Sequence, residues 1–369
     1  MSRPLTIILD LTEQCNLKCV MCYFSGTDRL RFEPFERSLS ERGTMPVEVF
    51  EKVAAEYFPR ARRVALGCAA EPMIHPKFRD IVAIAGRYGV PDLWFPTNLL
   101  PLTPKNAEAI VAAGVTTVAA SIDGVTRETY EKIRIGGKFD RLIARLNLFN
   151  EVKQKHGGQR PKLRIIFTWM KSNRHELRLL PAFAAEHGAV ELDVRFVTPT
   201  TGVDVSPELL DDEDPRELWA DLEATARDAV ARGIRLASFP VFESEEDRPR
   251  DLASRLGRRL FHWKSGIERW EHWRHLWRER RNGCAYPGET YVIRPNGAVA
   301  PCIFWQGDPI GFQPEDDFDS IAQGDALNRI RDGLRCGEPV GTCATCIHRR
   351  DAFYRPFHRP ARKPEPAAS

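Results

Sequence analysis

Cys15, Cys19 and Cys22 fall within "CNLKCVMC" at the spacing CxxxCxxC. Thiolates at such offsets hold zinc or the irons of a cluster. Structural zinc usually takes four ligands, and a common iron–sulfur cube also takes four thiolates. Three cysteines imply either a fourth ligand from elsewhere in the chain or a metal position left open for chemistry. No histidine stands at a suitable local offset. A second group lies downstream. Cys284 and Cys302 read C-x12-G-x4-C through Gly297, and Cys343 and Cys346 form a CxxC. Four thiolates from a hairpin and a CxxC turn suit structural zinc or a second cluster. Cys68 and Cys336 belong to neither group. Cys68 reads as a small core residue at a strand end. Cys336, near the CxxC, reads as a substitute ligand, a hydrogen-atom donor or an inert thiol.

The chain that positions these cysteines has 369 residues, a net charge of +3 and 43% hydrophobic residues. That is enough for two domains or one large α/β barrel with an appendix. So small a net charge does not imply a nucleic-acid partner or an anionic membrane. No apolar run approaches the ~20 residues of a membrane span. The apolar stretch near the N-terminus contains Asp10 and reads as a first strand rather than a signal peptide. The expected compartment is the cytoplasm, where thiols stay reduced and clustered cysteines bind metal.

Strand patterns at 5–12, 62–68, 92–98, 116–123, 162–170 and 189–197 alternate with helix patterns at 46–58, 77–89, 103–114, 138–157, 175–188 and 215–233. Six β–α units in a row predict a parallel sheet covered by helices. A curved sheet of this kind puts its active site at the C-terminal strand ends, and the three cysteines directly follow the first strand. Arg195 and Trp169, near later strand ends, are pocket candidates by position. After residue 240 the pattern changes. Residues 243–251 are a charged connector, and Trp270, Trp273 and Trp277 form a stripe on a helical pattern that reads as packing. Asn296-Gly297 between two β runs predicts a hairpin. The tail from 355 is Pro-rich and basic.

"LTEQCNLKCVMCYF" resembles the signature of the radical S-adenosylmethionine (radical SAM) superfamily. The resemblance implies a partial (β/α)6 TIM-like barrel and a [4Fe–4S] cluster on Cys15, Cys19 and Cys22. SAM then occupies the open iron and is cleaved to a 5′-deoxyadenosyl radical. It implies SAM contacts from Met21 and Tyr23 beside the cysteines. "GCAAEP" stands where the family has a glycine-rich segment, which assigns Ala69, Ala70 and Glu71 to SAM. Alanines replacing glycines there put its backbone conformation in question. By the same resemblance Asn98, Ser121 and Asp123 line the SAM site, and Arg134 pairs with the SAM carboxylate, a charge-assisted contact.

The downstream cysteines resemble the SPASM and twitch auxiliary-cluster extensions. Cys284, Cys302, Cys343 and Cys346 are then ligands of an auxiliary [4Fe–4S] cluster. The implied domains are a barrel over 1–240, a helical Trp-rich connector over 241–282, an auxiliary domain over 283–352 and a disordered tail over 353–369. The barrel pattern starts at about residue 5, so the N-terminal peptide-recognition domain of many peptide maturases is not expected. The implied activity is oxidation of a small hydroxylated molecule, with a flavodoxin or ferredoxin-type reductant. Epimerisation, a peptide substrate and a non-catalytic iron–sulfur scaffold are the alternatives. Glu289 is the candidate base and Cys336 the candidate hydrogen-atom donor.

Overall fold

A computed structural model of the chain describes residues 5–22, 43–198, 203–238, 284 and 286–346. Tyr23, the expected Trp-rich connector and the tail lie outside these residues.

The expected strands form as β1 (Leu5–Leu9), β3 (Ala61–Ala65), β4 (Asp92–Thr97), β5 (Thr117–Ser121), β7 (Lys162–Trp169) and β8 (Glu191–Phe196). A further strand, β9 (Arg235–Ser238), extends them. They are parallel and lie side by side in chain order. Sequential order with right-handed crossovers puts the connecting helices on one face. The sheet is open, with β9 at one edge. It is a partial barrel, α/β in class and mostly parallel.

The helices are α1 (Val47–Tyr57), α2 (Phe78–Gly86), α3 (Pro104–Ala112), α4 (Arg127–Ile133), α5 (Phe139–Lys155), α6 (Leu180–Glu186) and α7 (Pro215–Ala231). The seven-residue α4 was not expected; Thr126 caps it by accepting from the Thr129 N–H. The helix expected over 175–188 is instead a 3-10 run, Lys171–Leu179, followed by α6. Pro181 lacks an N–H, so an α-helical ladder cannot run back through it.

The hairpin forms as β10 (Thr290–Ile293) and β11 (Ala298–Ala300), with β12 (Gly311–Phe312) beyond. Gly297, at φ +83°, supplies the left-handed residue the turn requires. β10 joins the main sheet by pairing parallel with β1, so the hairpin extends the barrel wall. Two more helices, α8 (Phe318–Gln323) and α9 (Asp325–Cys336), follow. No helix among the described residues is long and apolar enough to cross a membrane.

Strand register separates two faces. Phe78 of α2 meets Phe95 edge-on at 5.5 Å, so Phe95 faces the helices. Its neighbours Trp94 and Pro96 face the interior, and register carries that face to Ile8, Ala65, Ala119, Ser121, Arg164, Thr168, Glu191, Asp193 and Arg195. The helix face is almost wholly apolar; the interior carries the charges. Trp169 falls on the helix side, fully buried and stacked on Phe196 at 5.5 Å. It is therefore not a pocket residue.

Candidate active site

The loop after β1 carries Cys15, Cys19 and Cys22. A two-stranded ribbon, β2 (Lys18–Cys19) with β6 (Arg134–Ile135), pairs Cys19 with Arg134. Donors converge on the sulfurs. Leu17 N–H lies 3.5 Å from Cys15 Sγ, Asn98 Nδ2 3.9 Å from the same atom, and Arg134 Nη1 3.8 Å from Cys19 Sγ. Burial raises the Cys15 and Cys19 thiols above their ordinary range, and Arg134 opposes that at both. Arg134 is itself buried, and its Nε has no hydrogen-bond partner among the described residues. A buried cation with a spare donor beside three thiols suits an anionic cluster and a bound carboxylate. Among the described residues no three His, Cys, Asp or Glu side chains converge as they would on a single metal ion.

Arg134 is not idle: its Nη2 lies 2.5 Å from Asp123 Oδ2. Asp123 is fully buried and also accepts from Thr168 N–H at 2.8 Å. It thus orients Arg134 and β7 instead of facing open space. Ser121, half-buried at the end of β5, does face the interior. Met21, half-buried, packs against the buried Ile133 and Met170 group.

The segment after β3 is held by two carboxylates. Asp10 Oδ1 accepts from Cys68 N–H at 2.7 Å and Ala69 N–H at 3.2 Å. Gly67, at φ +116°, makes the bend, and Ala69 and Ala70 avoid the left-handed region. The alanines therefore fit where the family has glycines. Glu71 accepts from Met73 N–H, Thr97 Oγ1 and Asn98 N–H at 3.1, 2.8 and 2.6 Å. These donors tie the segment to the end of β4. Asn98 Nδ2 donates to Asn16 Oδ1 at 2.8 Å, which links β4 to the cysteine loop. Leu99 follows at φ +67°, the one non-glycine in that region among the described residues.

Cys284, Cys343 and Cys346 lie near enough to Cys302 for their charges to act on it, without converging as the ligands of one ion would. Burial first, then the other three cysteines, pushes the Cys302 thiol up to about 12. Gln306 N–H donates to Thr342 Oγ1 at 3.0 Å and ties the loop after Cys302 to the CxxC turn. Val292 pairs with Ala300 in the antiparallel hairpin, so Cys302 lies level with the start of β10. β10 is parallel to β1, and Thr290 is level with Thr6. The two cysteine groups thus lie at opposite ends of the same barrel wall. Glu289, half-buried, lies at the second group's end, its carbonyl accepting from Thr6 N–H at 2.8 Å.

Cys336 and Cys68 are both exposed. Cys336 ends α9. Cys68 is no core filler. The residue is exposed, and its thiol lies 3.8 Å from the interior-facing Asp10 Oδ2. It therefore opens onto the interior. Sequence reasoning also missed Asp10 and Arg294, joined at 2.6 Å. A lone acidic residue ending an apolar strand was the available signal.

Residues 9–161 match the radical SAM superfamily. The AdoMet-dependent heme synthase of Methanosarcina barkeri is 29% identical over 210 residues, 56% of this chain and 54% of that protein. Mycofactocin maturase MftC of Mycobacterium tuberculosis is 28% identical over 227 residues, 62% of this chain and 50% of that protein. The chain spans about half the length of the curated relatives it matches. SuiB of Streptococcus suis superimposes with a TM-score of 0.64 at 18% identity, over 91% of this chain and 68% of that one, and shares the fold. Residues 9–161, with the CxxxCxxC loop at the end of β1, form a radical SAM domain, the domain of a superfamily whose cofactors are a [4Fe–4S] cluster and SAM.

Proposed function

We propose that the protein binds SAM at the three-cysteine end of the barrel and oxidises, by two electrons, a hydroxylated small molecule held in the interior. The observation that carries this reading is the pair of cysteine groups at opposite ends of one polar interior. Cys15, Cys19 and Cys22 would hold a [4Fe–4S] cluster, which with SAM would supply hydrogen-atom abstraction at the substrate. Cys284, Cys302, Cys343 and Cys346 would hold a second [4Fe–4S] cluster, which supplies a one-electron acceptor. Asp10 and Glu71 fix the segment that receives SAM, and Arg134 places a cation beside it. The proton leaving the substrate hydroxyl would go to a base at the site, and Glu289, at the second group's end of the sheet, is the candidate. A flavodoxin or ferredoxin-type protein is the reductant this chemistry requires.

The test is anaerobic reconstitution with iron and sulfide, followed by SAM and dithionite. Release of 5′-deoxyadenosine that depends on Cys15, Cys19 and Cys22 supports the reading. Iron-replete protein that holds zinc and leaves SAM intact refutes it. A second reading, a peptide substrate, is favoured by the fold shared with SuiB, which has been solved with its precursor peptide SuiA. Product mass separates the two.

A further inference from the structure

The interior holds several arginines, and most are consumed. Arg164 gives Nε and Nη2 to Glu191 at 2.8 and 2.7 Å, and Arg235 Nη2 meets the other oxygen of Glu191 at 2.8 Å. Arg294 is bound to Asp10. Arg195, at the upper end of β8, differs. Its Nε and Nη2 donate to Asp193 Oδ1 and Oδ2 at 2.8 and 2.5 Å. Asp193 is 3% accessible, whereas the Arg195 side chain is 52% accessible. Cys68 and Tyr286 lie near enough to Arg195 to act on its charge. The register puts this open surface on the interior side of the sheet. A guanidinium has five N–H donors. Asp193 takes two from one edge, and the Nη1 hydrogens with the second Nη2 hydrogen remain, unpaired among the described residues. That remaining edge is a fork of the width a carboxylate matches with two parallel hydrogen bonds. The buried Asp193 holds the fork still, so little side-chain entropy is lost when an anion docks.

We infer that Arg195, oriented by Asp193, is the substrate's anion anchor, and that the substrate presents a carboxylate to the barrel interior. The inference rests on the radical SAM reading for calling the ligand a substrate; the anion site itself does not. A carboxylate at Arg195 lies on the interior face, within range of the charge of Cys68 in the segment assigned to SAM. The site thus places a carboxylate-bearing molecule, a free acid or a peptide carboxylate, within the chemistry's reach. It argues against a neutral polyol.

The test uses benzoate and its neutral isostere benzamide as probes of the full chain, read by saturation-transfer difference NMR under anaerobic conditions with SAM present. Benzoate is expected to show transfer at least five-fold stronger than benzamide. Arg195→Gln should abolish the difference, and Arg195→Lys should restore part of it. Melting curves of both variants establish that they are folded. Equal transfer from the two probes, or discrimination that survives in folded Arg195→Gln, overturns the anchor. SAM cleavage by the wild-type protein is measured in parallel. Benzoate discrimination without 5′-deoxyadenosine would sink the radical reading and leave the site; 5′-deoxyadenosine without discrimination would sink the site and leave the reaction.

Discussion

Arg294, just past β10, donates to Asp10 across 2.6 Å, and Asp10 in turn accepts from the backbone of Cys68 and Ala69. One chain of contacts runs from the hairpin to the segment assigned to SAM. The Arg294 side chain is 16% accessible and that of Asp10 3%. Removing one partner of such a pair strands a buried charge.

Arg294→Met is therefore expected to cost about 3 kcal/mol of stability. Asp10→Asn combined with Arg294→Met should cost less, because the Asn oxygen still accepts from Cys68 N–H and no charge is stranded. Urea unfolding of the two singles and the double gives the coupling. A double variant that loses the sum of the singles would show that the residues act independently.

Glu71 provides a pH test. Burial pushes its carboxyl up to about 7, against the pull of its three donors. In the unfolded chain it titrates at about 4.3. Between those values the folded state binds more protons than the unfolded one, so its contribution to stability falls as pH rises. The loss is about 3 kcal/mol from pH 4 to 7, at 1.36 kcal/mol per unit. Glu71→Gln cannot titrate. The wild-type minus variant difference in unfolding free energy should therefore shrink over that window and level off above it. A difference that stays flat from pH 4 to 8 would put the Glu71 carboxyl back in the ordinary range.

Leu99 reverses the usual ranking of alanine and glycine. Its φ of +67° strains any side chain, and its own side chain is fully buried. Both truncations lose the packing, on the order of 2–5 kcal/mol. Glycine alone also relieves the strain, about 1 kcal/mol. Leu99→Gly should thus be more stable than Leu99→Ala by about 1 kcal/mol, with Asn98 left in place. Thermal melts giving the opposite order would mean that the bend is not strained.

What the sequence disclosed was what is local. The cysteine spacings, the six β–α units and the Asn296-Gly297 turn each depend on neighbours, and each was legible. Strand parity in "KLRIIFTW" would have put Trp169 with Leu163, Ile165 and Phe167 on the helix side. The Leu327, Ile330 and Leu334 stripe of α9 was equally readable and passed unnoticed. The Asp10 contacts were out of reach, since they span 58 residues to Cys68 and 284 to Arg294. The same holds for the parallel pairing of β10 with β1, and with it the arrangement of the two cysteine groups. Nothing local marked Cys68 as interior and Cys336 as surface, because exposure depends on the packed whole.

The separation of the cysteine groups predicts independent loading. Five residues of β1 at ~3.3 Å each put roughly 16 Å between the two ends. Replacing Cys15, Cys19 and Cys22 by Ala should remove about half the iron and end SAM cleavage, while the second group keeps its cluster. Replacing Cys302 and Cys343 should remove the other half and leave the SAM-dependent cluster signal in electron paramagnetic resonance. Total loss of iron from either variant would show that the groups fill together.

The two remaining cysteines decide between oxidation and hydrogen return. Cys336 lies exposed at the end of α9, so Cys336→Ala should shift stability by less than about 0.5 kcal/mol and leave product unchanged. Cys68 is the thiol that opens onto the interior. Burial, then Asp10, pushes it above the ordinary cysteine range, which favours the protonated thiol. An enzyme that hands a hydrogen atom back to the substrate radical would take it from Cys68, and that hydrogen exchanges with solvent. Oxidation instead leaves the reacting carbon without a new hydrogen. In deuterium oxide the wild-type product is therefore expected to carry no deuterium at the reacting carbon, as mass spectrometry would read. Deuterium there, retained in Cys336→Ala and lost in Cys68→Ser, would convert the assignment from oxidation to epimerisation with Cys68 as the donor.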